Sequence, residues 1–399
     1  MRGPRPLRPR VLRTLALTAT AALLVSGSAR LVMTGHLLLP FERVTTLHAR
    51  LASTADFFQD PQVARILLKH GVRVHTVSAG SREVATGNLD EYDFVFPSGG
   101  AAADMIIDDR QARHRHSSTF RPFDSPLVLA SYREYAETLR DNGVATAQSA
   151  PDGGKPLYYW LDMDKFLRLT EQGRRWNDLG VGRHGVTNGD VVLAQTSDIC
   201  QSNSAGTYLG LVAFTRNGDD VPTTAAQAEA LARRIKPLLI RQGSPGADLF
   251  QYYASHDGRA LAPVAVVYEH QYLAYQTRYR ATHPTVDHER VLLYPRTQMP
   301  TQPQFIALAH RADALGRLLV TDPGLRRRAT ALGYRVLGPA TTDDLAADGS
   351  TELTTYLRRH GVPAPDPTGG YETTARMPDL PLLERMIATV KECPATGVN

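Results

Sequence analysis

"YDFVFPSGGAAADMII", residues 92–107, changes character twice within one short stretch. Tyr92 to Phe96 is aromatic and β-branched and reads as a strand. Pro97 to Gly100 is a small-residue turn. The alanines that follow, leading into Met105, Ile106 and Ile107, read as a helix. The same unit comes before it. "RVTTLHARL" is a short β-prone run. "STADFFQDPQVARILLKHG" opens on Ser53 and Thr54, carries Val63, Ile66 and Leu67 at helical spacing, and stops at Gly71. "VRVHTVSAGSRE" alternates as a strand, and "REVAT" begins another helix. Strand and helix in alternation predict a parallel sheet with crossover helices.

The pattern continues toward the C-terminus. Leu127 to Ser131 is a strand leading into a helix that ends at Gly143. "LDMDKFLRLTEQG" is an amphipathic helix capped by Asp162, and "GDVVLAQTSD" is a buried strand. "TTAAQAEALARRIKPLLIRQG" is a helix bent at Pro237, and "LAPVAVVYEHQYLAYQ" is a strand followed by a helix. "RVLLYPRTQMPTQPQFIALAH" gives two extended runs punctuated by Pro295, Pro300 and Pro303, which suits a return crossing between domains. A helix pair follows, then the loop "GPATTDDLAADGS", then a C-terminal helix from "LPLLERMIATVKE".

With 399 residues the chain exceeds what one core usually organises, so two domains are expected. The net charge of +5 is misleading: Arg2, Arg5, Arg8, Arg10, Arg13 and Arg30 all precede Phe41, and no acid does. The remainder is close to neutral, which argues against a nucleic-acid partner. Arginines before the apolar run Leu15–Val25, with "SGSA" after it, read as a targeting segment. The charge order places the body of the protein outside the cell. Residues 1–43 are therefore expected to be a signal peptide or a membrane anchor. Ser28 stands where a lipoprotein box needs cysteine, so thioether lipidation is excluded there.

Cys200 and Cys393 lie far apart in sequence. An exported chain can pair them, but they read more simply as unrelated thiols. Without a CxxC pair, a structural zinc site is not expected. The histidines of "RHRH" (113–116) and "HPTVDHE" (283–289) show no third ligand and read as solvated surface. The match "GVGRHG" (180–185) lacks the strand before it and the helix after it that a dinucleotide fingerprint needs, so it reads as a loop. There is no G-x-S-x-G, Walker A or H-E-x-x-H motif. No catalytic residue, metal ligand or cofactor is assigned.

The positive signals share one form. Strands end in donor-rich turns: Ser53 and Thr54; Ser81 and Arg82; Ser98 and Gly99; Ser202, Asn203 and Ser204. Each alone reads as helix capping. Together they suit a cleft, because ligands of open α/β sheets sit at the carboxyl ends of strands, where helix N-termini converge. Arg82 is the fixed cation of the set and suits a carboxylate or oxyanion, or else a neighbouring acid such as Glu83 or Asp93. Tyr268, Glu269 and Gln271 end a further strand; they suit the cleft wall or a cap, with Glu269 able to meet an amine or Arg82.

The motifs "FFQDPQV", "GSRE", "YDFVFPSGGAAA", "RPFDSPLVLASYRE", "TSDICQSNSAGTYLGL", "APVAVVYEHQYL" and "VLLYPRTQMPTQPQFIAL", in that order, resemble extracellular solute-binding proteins of bacterial importers with the type II periplasmic-binding fold. The likeness spans about Val44 to Glu392. It implies two doubly wound α/β domains, hinged around a ligand cleft: residues 44–127 with 293–392, and residues 128–292. It implies ligand groups at Ser53, Thr54, Ser81, Arg82, Ser98 and Ser202–Ser204, and a membrane permease as partner. The expected solute is small and polar, with an oxyanion or polar organic anion favoured. "ASTAD" departs from the Gly-Ser-Glu-Lys often found at the first loop. That departure and the missing lipobox cysteine favour the alternative, a membrane-anchored sensor or envelope interaction protein of the same fold. An enzyme built on this fold is the third reading, without a nucleophile motif to support it.

Overall fold

In the computed structural model, the described residues are 44–52, 54–150, 153–240, 249–299, 301–337, 351–366 and 369–393. The expected targeting segment, Ser53 and the loop at 338–350 lie outside them. Among the described residues no helix is long and apolar enough to cross a membrane.

The strands are β1 (Thr45–Leu51), β2 (Val72–Ser78), β3 (Phe94–Phe96), β4 (Ser118–Phe120), β5 (Phe123–Asp124), β6 (Leu127–Tyr132), β7 (Ala145–Ala147), β8 (Tyr158–Leu161), β9 (Val264–Tyr268), β10 (Arg290–Pro295), β11 (Thr297–Gln298), β12 (Phe305–Ala307), β13 (Arg335–Val336) and β14 (Thr373–Thr374). They build two five-stranded sheets, one in the order β2-β1-β3-β12-β4 and the other β7-β8-β10-β6-β9.

In the first sheet β1 pairs in parallel with β2 and β3, as strands joined by crossover helices must. The chain moves to one side of β1 and then to the other. That reversal opens a crevice at the carboxyl ends of β1 and β3. β12 enters antiparallel to both β3 and β4. The strand period of two sorts the side chains by face. Phe94, Phe96 and Phe305 join Phe57, Phe58 and Phe123 in one core, while Val95 and Ile306 meet Val84, Ala103 and Ile106 on the other side. The helical run after β1 breaks at Asp60, whose carboxylate caps the next helix by accepting from the N–H groups of Gln62 and Val63, with Pro61 at its first position.

The second sheet is covered on both faces, and every residue of β6, β8 and β9 is buried. "GDVVLAQTSD" runs beside β9, but the pairing is short: Gln195 N–H reaches Val264 O (2.8 Å) and Val266 N–H reaches Gln195 O (2.9 Å). The expected full strand is thus a bridge inside a buried extended segment. "GVGRHG" forms 3-10 turns with Gly180 and Gly185 at positive φ, as a loop requires.

Core membership divides the chain differently from the expected boundaries. β10 pairs with β6 and β8, so the second unit extends through Pro295 rather than ending at 292. Leu353, Leu357, Leu383, Met386, Ile387 and Val390 join the larger core, which is the second unit's. Among the described residues the first unit therefore takes back the segment from β12 to β13, and the helix Glu352–Arg359 ties the two units, pairing Glu352 with Arg326 (3.0 Å) while Leu353 and Leu357 enter the larger core. The chain crosses at Ser125–Pro126 and again between β10 and β12. The two crossings are tied together: Ser125 N–H donates to Thr301 O (3.3 Å) and Thr301 Oγ1 donates to Ser125 O (2.5 Å).

The two cysteines form a disulfide, contrary to the reading of them as unrelated thiols. The helix Leu380–Val390 packs into the larger core and carries Cys393 to Cys200, with the Cα atoms 5.4 Å apart. Lys391 pairs with Asp198 at the same place (2.6 Å). A sequence separation of 193 gave no hint of this approach.

Candidate functional site

Four strand ends from the two sheets converge on one hollow of about 540 Å³. Ser81 follows β2, Ser98 follows β3, Gln201 to Ser204 follow the segment beside β9, and Tyr268 closes β9 itself. The buried polar side chains present hydroxyls and amides, while the more exposed Asp56, Glu83, Asp198 and Arg278 add charges to the lining. Ser98 N–H donates to Ser81 Oγ (3.1 Å), and the two hydroxyls are 3.3 Å apart. On the opposite wall Asn203 Nδ2 donates to Tyr268 Oη and to Thr207 Oγ1, both at 3.1 Å. Ser202 and Ser204 share a hydrogen bond of 2.8 Å. Burial pushes the Tyr268 phenol up to about 12, against hydrogen bonds to Asn203 and, across the hollow, to Ser98. It stays protonated as a donor.

Two long helices begin at this point. The helix Asn203–Arg216 has Ser202 as N-cap, yet that side chain makes no capping bond and turns to Ser204 instead. The helix Gly100–Ala112 starts after Gly99, which has no side chain to cap with. Their N-terminal turns carry partial positive charge and N–H groups without intrahelical partners; Ser202 to Ser204 at the first line the hollow, and Ser98 lines it just ahead of the second. The units also touch here. Arg82 N–H donates to Gln201 O (3.0 Å). A Cβ on Gly80 would run into the Gln201 carbonyl, and one on Gly99 into the Asn203 amide. Glycine at both positions is what this close approach requires.

The sequence-expected residues separate into two groups. Ser81, Ser98, Ser202, Asn203, Ser204 and Tyr268 line the hollow. Gly99 backs it, against Asn203. Thr54 is fully buried behind the wall, donating to Phe96 O (2.8 Å), while Ala52, Ala55 and Asp56 beside it reach the surface of the hollow. Arg82 does not face the hollow. Its guanidinium is held by both carboxylate oxygens of Glu384, on the C-terminal helix. A buried guanidinium needs a paired carboxylate, and Glu384 supplies it rather than Glu83, Asp93 or a solute.

Glu269 is fully buried and equally engaged. It accepts from Arg335 Nε (2.6 Å), Arg335 Nη2 (2.6 Å) and the Tyr294 hydroxyl (2.6 Å). The Arg335 pKa rises because this carboxylate outweighs the effect of burial, which acts to lower it. Asp124 stands close by. Burial, followed by repulsion from Glu269, pushes its carboxyl up to about 6. His270 is also in this layer, with Nδ1 2.8 Å from Ser125 Oγ and its ring stacked on Tyr334. Burial lowers its pKa to about 3, so the imidazole is neutral.

Residues that line the hollow and were not expected are Gln201, Ser197, His270, Tyr334 and, exposed at the rim, Arg278. Gln201 lay inside the quoted "CQSNSAG". No sequence signal marked His270, Tyr334 or Arg278, which arrive through packing at the hinge.

No family model and no curated protein matches the chain. Among solved structures it is similar to the sulfate-binding protein SubI from Mycobacterium tuberculosis H37Rv, with 15% identity, covering 83% of this chain and 94% of that one, TM-score 0.42. It is also similar to the substrate-binding protein of an ABC transporter from Agrobacterium tumefaciens, with 12% identity, 88% and 96% covered, TM-score 0.48. A third is a hydrogen-peroxide-bound OxyR mutant from Corynebacterium glutamicum, with 10% identity, 82% and 78% covered, TM-score 0.37.

Proposed function

We propose that the chain is an exported, non-enzymatic solute-binding protein that captures a small polar anion between its two units and presents it to a membrane permease of an ABC-type importer. The observation that carries this reading is the meeting of two uncapped helix N-termini, at Gly99 and Ser202, across a hollow lined by Ser81, Ser98, Asn203 and Tyr268. Such termini with neutral donors hold an anion without a counter-ion. The motif resemblance supports export and delivery.

The geometry supports binding rather than turnover. The serine beside an imidazole, Ser125, is 1% exposed and does not line the hollow, so it offers no nucleophile to a guest. A solute touching both walls stabilises the closed form by its differential contacts, and closure is the signal a permease reads.

A thermal-shift screen of residues 44–399 against sulfate, phosphate, carboxylic acids, amino acids and sugars tests the reading. Binding to the native state alone raises its stability by about 2.7 kcal/mol at a hundredfold excess over Kd. A rise with an anion and none with sugars is the expected result. Silence across the whole panel would turn the assignment toward the sensor or envelope interaction protein.

A further inference from the structure

The end of the first sheet remote from the cleft holds a second group of side chains. β12 runs antiparallel to β4, with Ala307 opposite Ser118. Two residues further along the same register, Ala309 stands opposite His116. His310 comes next, followed by a short 3-10 turn and the helix that begins at Asp313. His116, which read as solvated surface, is instead half-buried and meets His310 and Asp313.

The backbone under this group is fixed. Arg110 is buried, and its Nε donates to His116 O while its Nη2 donates to Leu308 O, both at 2.6 Å. One guanidinium therefore clamps the two segments that carry the histidines. Asp313 reaches an edge nitrogen of each ring: Oδ1 is 3.1 Å from His116 Nε2, and Oδ2 is 3.5 Å from His310 Nδ1. All three ligand-capable atoms fall within 4.8 Å of one another.

Two ligands placed 2.0–2.1 Å from a tetrahedral ion stand about 3.3 Å apart. The separations from the two histidines to Asp313, each to a different carboxylate oxygen, lie close to that value. Two imidazoles and one carboxylate suit a borderline divalent ion such as zinc, and do not suit calcium or magnesium, which take oxygen. The His310 side chain is 84% exposed and can adjust its ring, which lies tilted against that of His116.

We propose that His116, His310 and Asp313 form a binding site for a zinc-like divalent transition-metal ion, on the first unit and opposite the solute cleft. Three protein ligands leave the fourth position to water, so the site is an open one. A bound ion links the start of β4 to the turn after β12 and reinforces the edge of the sheet.

The test is calorimetric titration of the metal-stripped full chain with Zn²⁺ alone, with Co²⁺ absorption as a second readout. The expected result is one saturable equivalent and the visible bands of tetrahedral Co²⁺. His310→Ala, which removes an exposed side chain and leaves the core intact, weakens Zn²⁺ binding by at least the roughly 10–100-fold lost when an outer-shell partner is removed. Asp313→Asn acts in the same direction, and His283→Ala, at an exposed histidine elsewhere, leaves the titration unchanged. Absence of saturable binding overturns the site, and so does unchanged affinity in His310→Ala.

Discussion

The wall of the cleft and the hinge behind it are built from adjacent residues but use opposite chemistry. Tyr268 and Glu269 are neighbours; one faces the hollow with a neutral hydroxyl, and the other is a fully buried carboxylate paired with the partly exposed Arg335. Ser81 and Arg82 divide in the same way, Ser81 toward the hollow and Arg82 toward Glu384. Fixed charges cannot be buried without partners, so here they join one unit to the other. The neutral donors and helix ends are left for a guest. The lesson is that charge in a donor-rich turn marks the frame, and the small polar residue beside it marks the seat.

The sharpest way to break this contrast is at the hinge. Glu269→Gln leaves the Arg335 guanidinium without its counter-charge and is expected to cost about 3–5 kcal/mol, read by urea denaturation. A loss under about 1 kcal/mol would mean that the pair is not a frame element. The protein that remains folded should keep its solute affinity, because Glu269 does not line the hollow.

The disulfide belongs to the frame as well, since it anchors the turn that carries Gln201 to Ser204. Replacing Cys200 and Cys393 together by serine is expected to destabilise by about 2–4 kcal/mol, with a matching fall in melting temperature when the native protein is reduced. An unchanged melting temperature on full reduction would separate the C-terminal helix from the stability of the cleft.

Asp124 sharpens the comparison through pH. Its folded pKa of about 6 lies above the ordinary carboxylate value of 3.8. Between those values the folded state holds a proton that the unfolded state has released, so stability falls as pH rises through this range. Above about 6 the full cost persists; below the unfolded value it vanishes. Asp124→Asn should therefore stabilise by up to about 3 kcal/mol near neutral pH and by nothing in acid. His270 works in the opposite sense: its folded pKa is about 3 against 6.5 unfolded, so its contribution is lost as pH falls below 6.5. A gain from Asp124→Asn that is the same at every pH would show that the carboxyl is not held in this buried layer.

The sheet pattern was legible because β-branched and aromatic runs alternate with helical spacing, and because each unit ends in a Ser, Gly or Asn turn. "YDFVFPSGG" showed both the strand and its tip, where Ser98 lines the hollow. The unit boundary was less visible. "VLLYP" reads as a return crossing because of its prolines, but whether it pairs with β6 or with β3 depends on tertiary contacts. The destination of Arg82 was hidden for the same reason: Glu384 lies 302 residues away, and no local pattern announces it. His116 and His310 were separated by the whole second unit, and only the β4–β12 register unites them.

The smallest expected effect is at the rim. Arg278→Ala should alter solute affinity by no more than about threefold and mainly reduce the salt dependence of the association rate, as stopped-flow binding would show. A larger loss would move this guanidinium from steering into direct contact.

The most direct test sets seat against frame. With the best anion from the screen, isothermal titration is run on the parent protein, Asn203→Ala and Arg82→Met. The account predicts that Asn203→Ala, which removes the amide that fixes the Tyr268 hydroxyl beside a helix N-terminus, loses about 1–3 kcal/mol of binding, while Arg82→Met, if folded, binds within about threefold of the parent. Loss of binding in Arg82→Met with Asn203→Ala unchanged would contradict it, and would return the guanidinium to the solute.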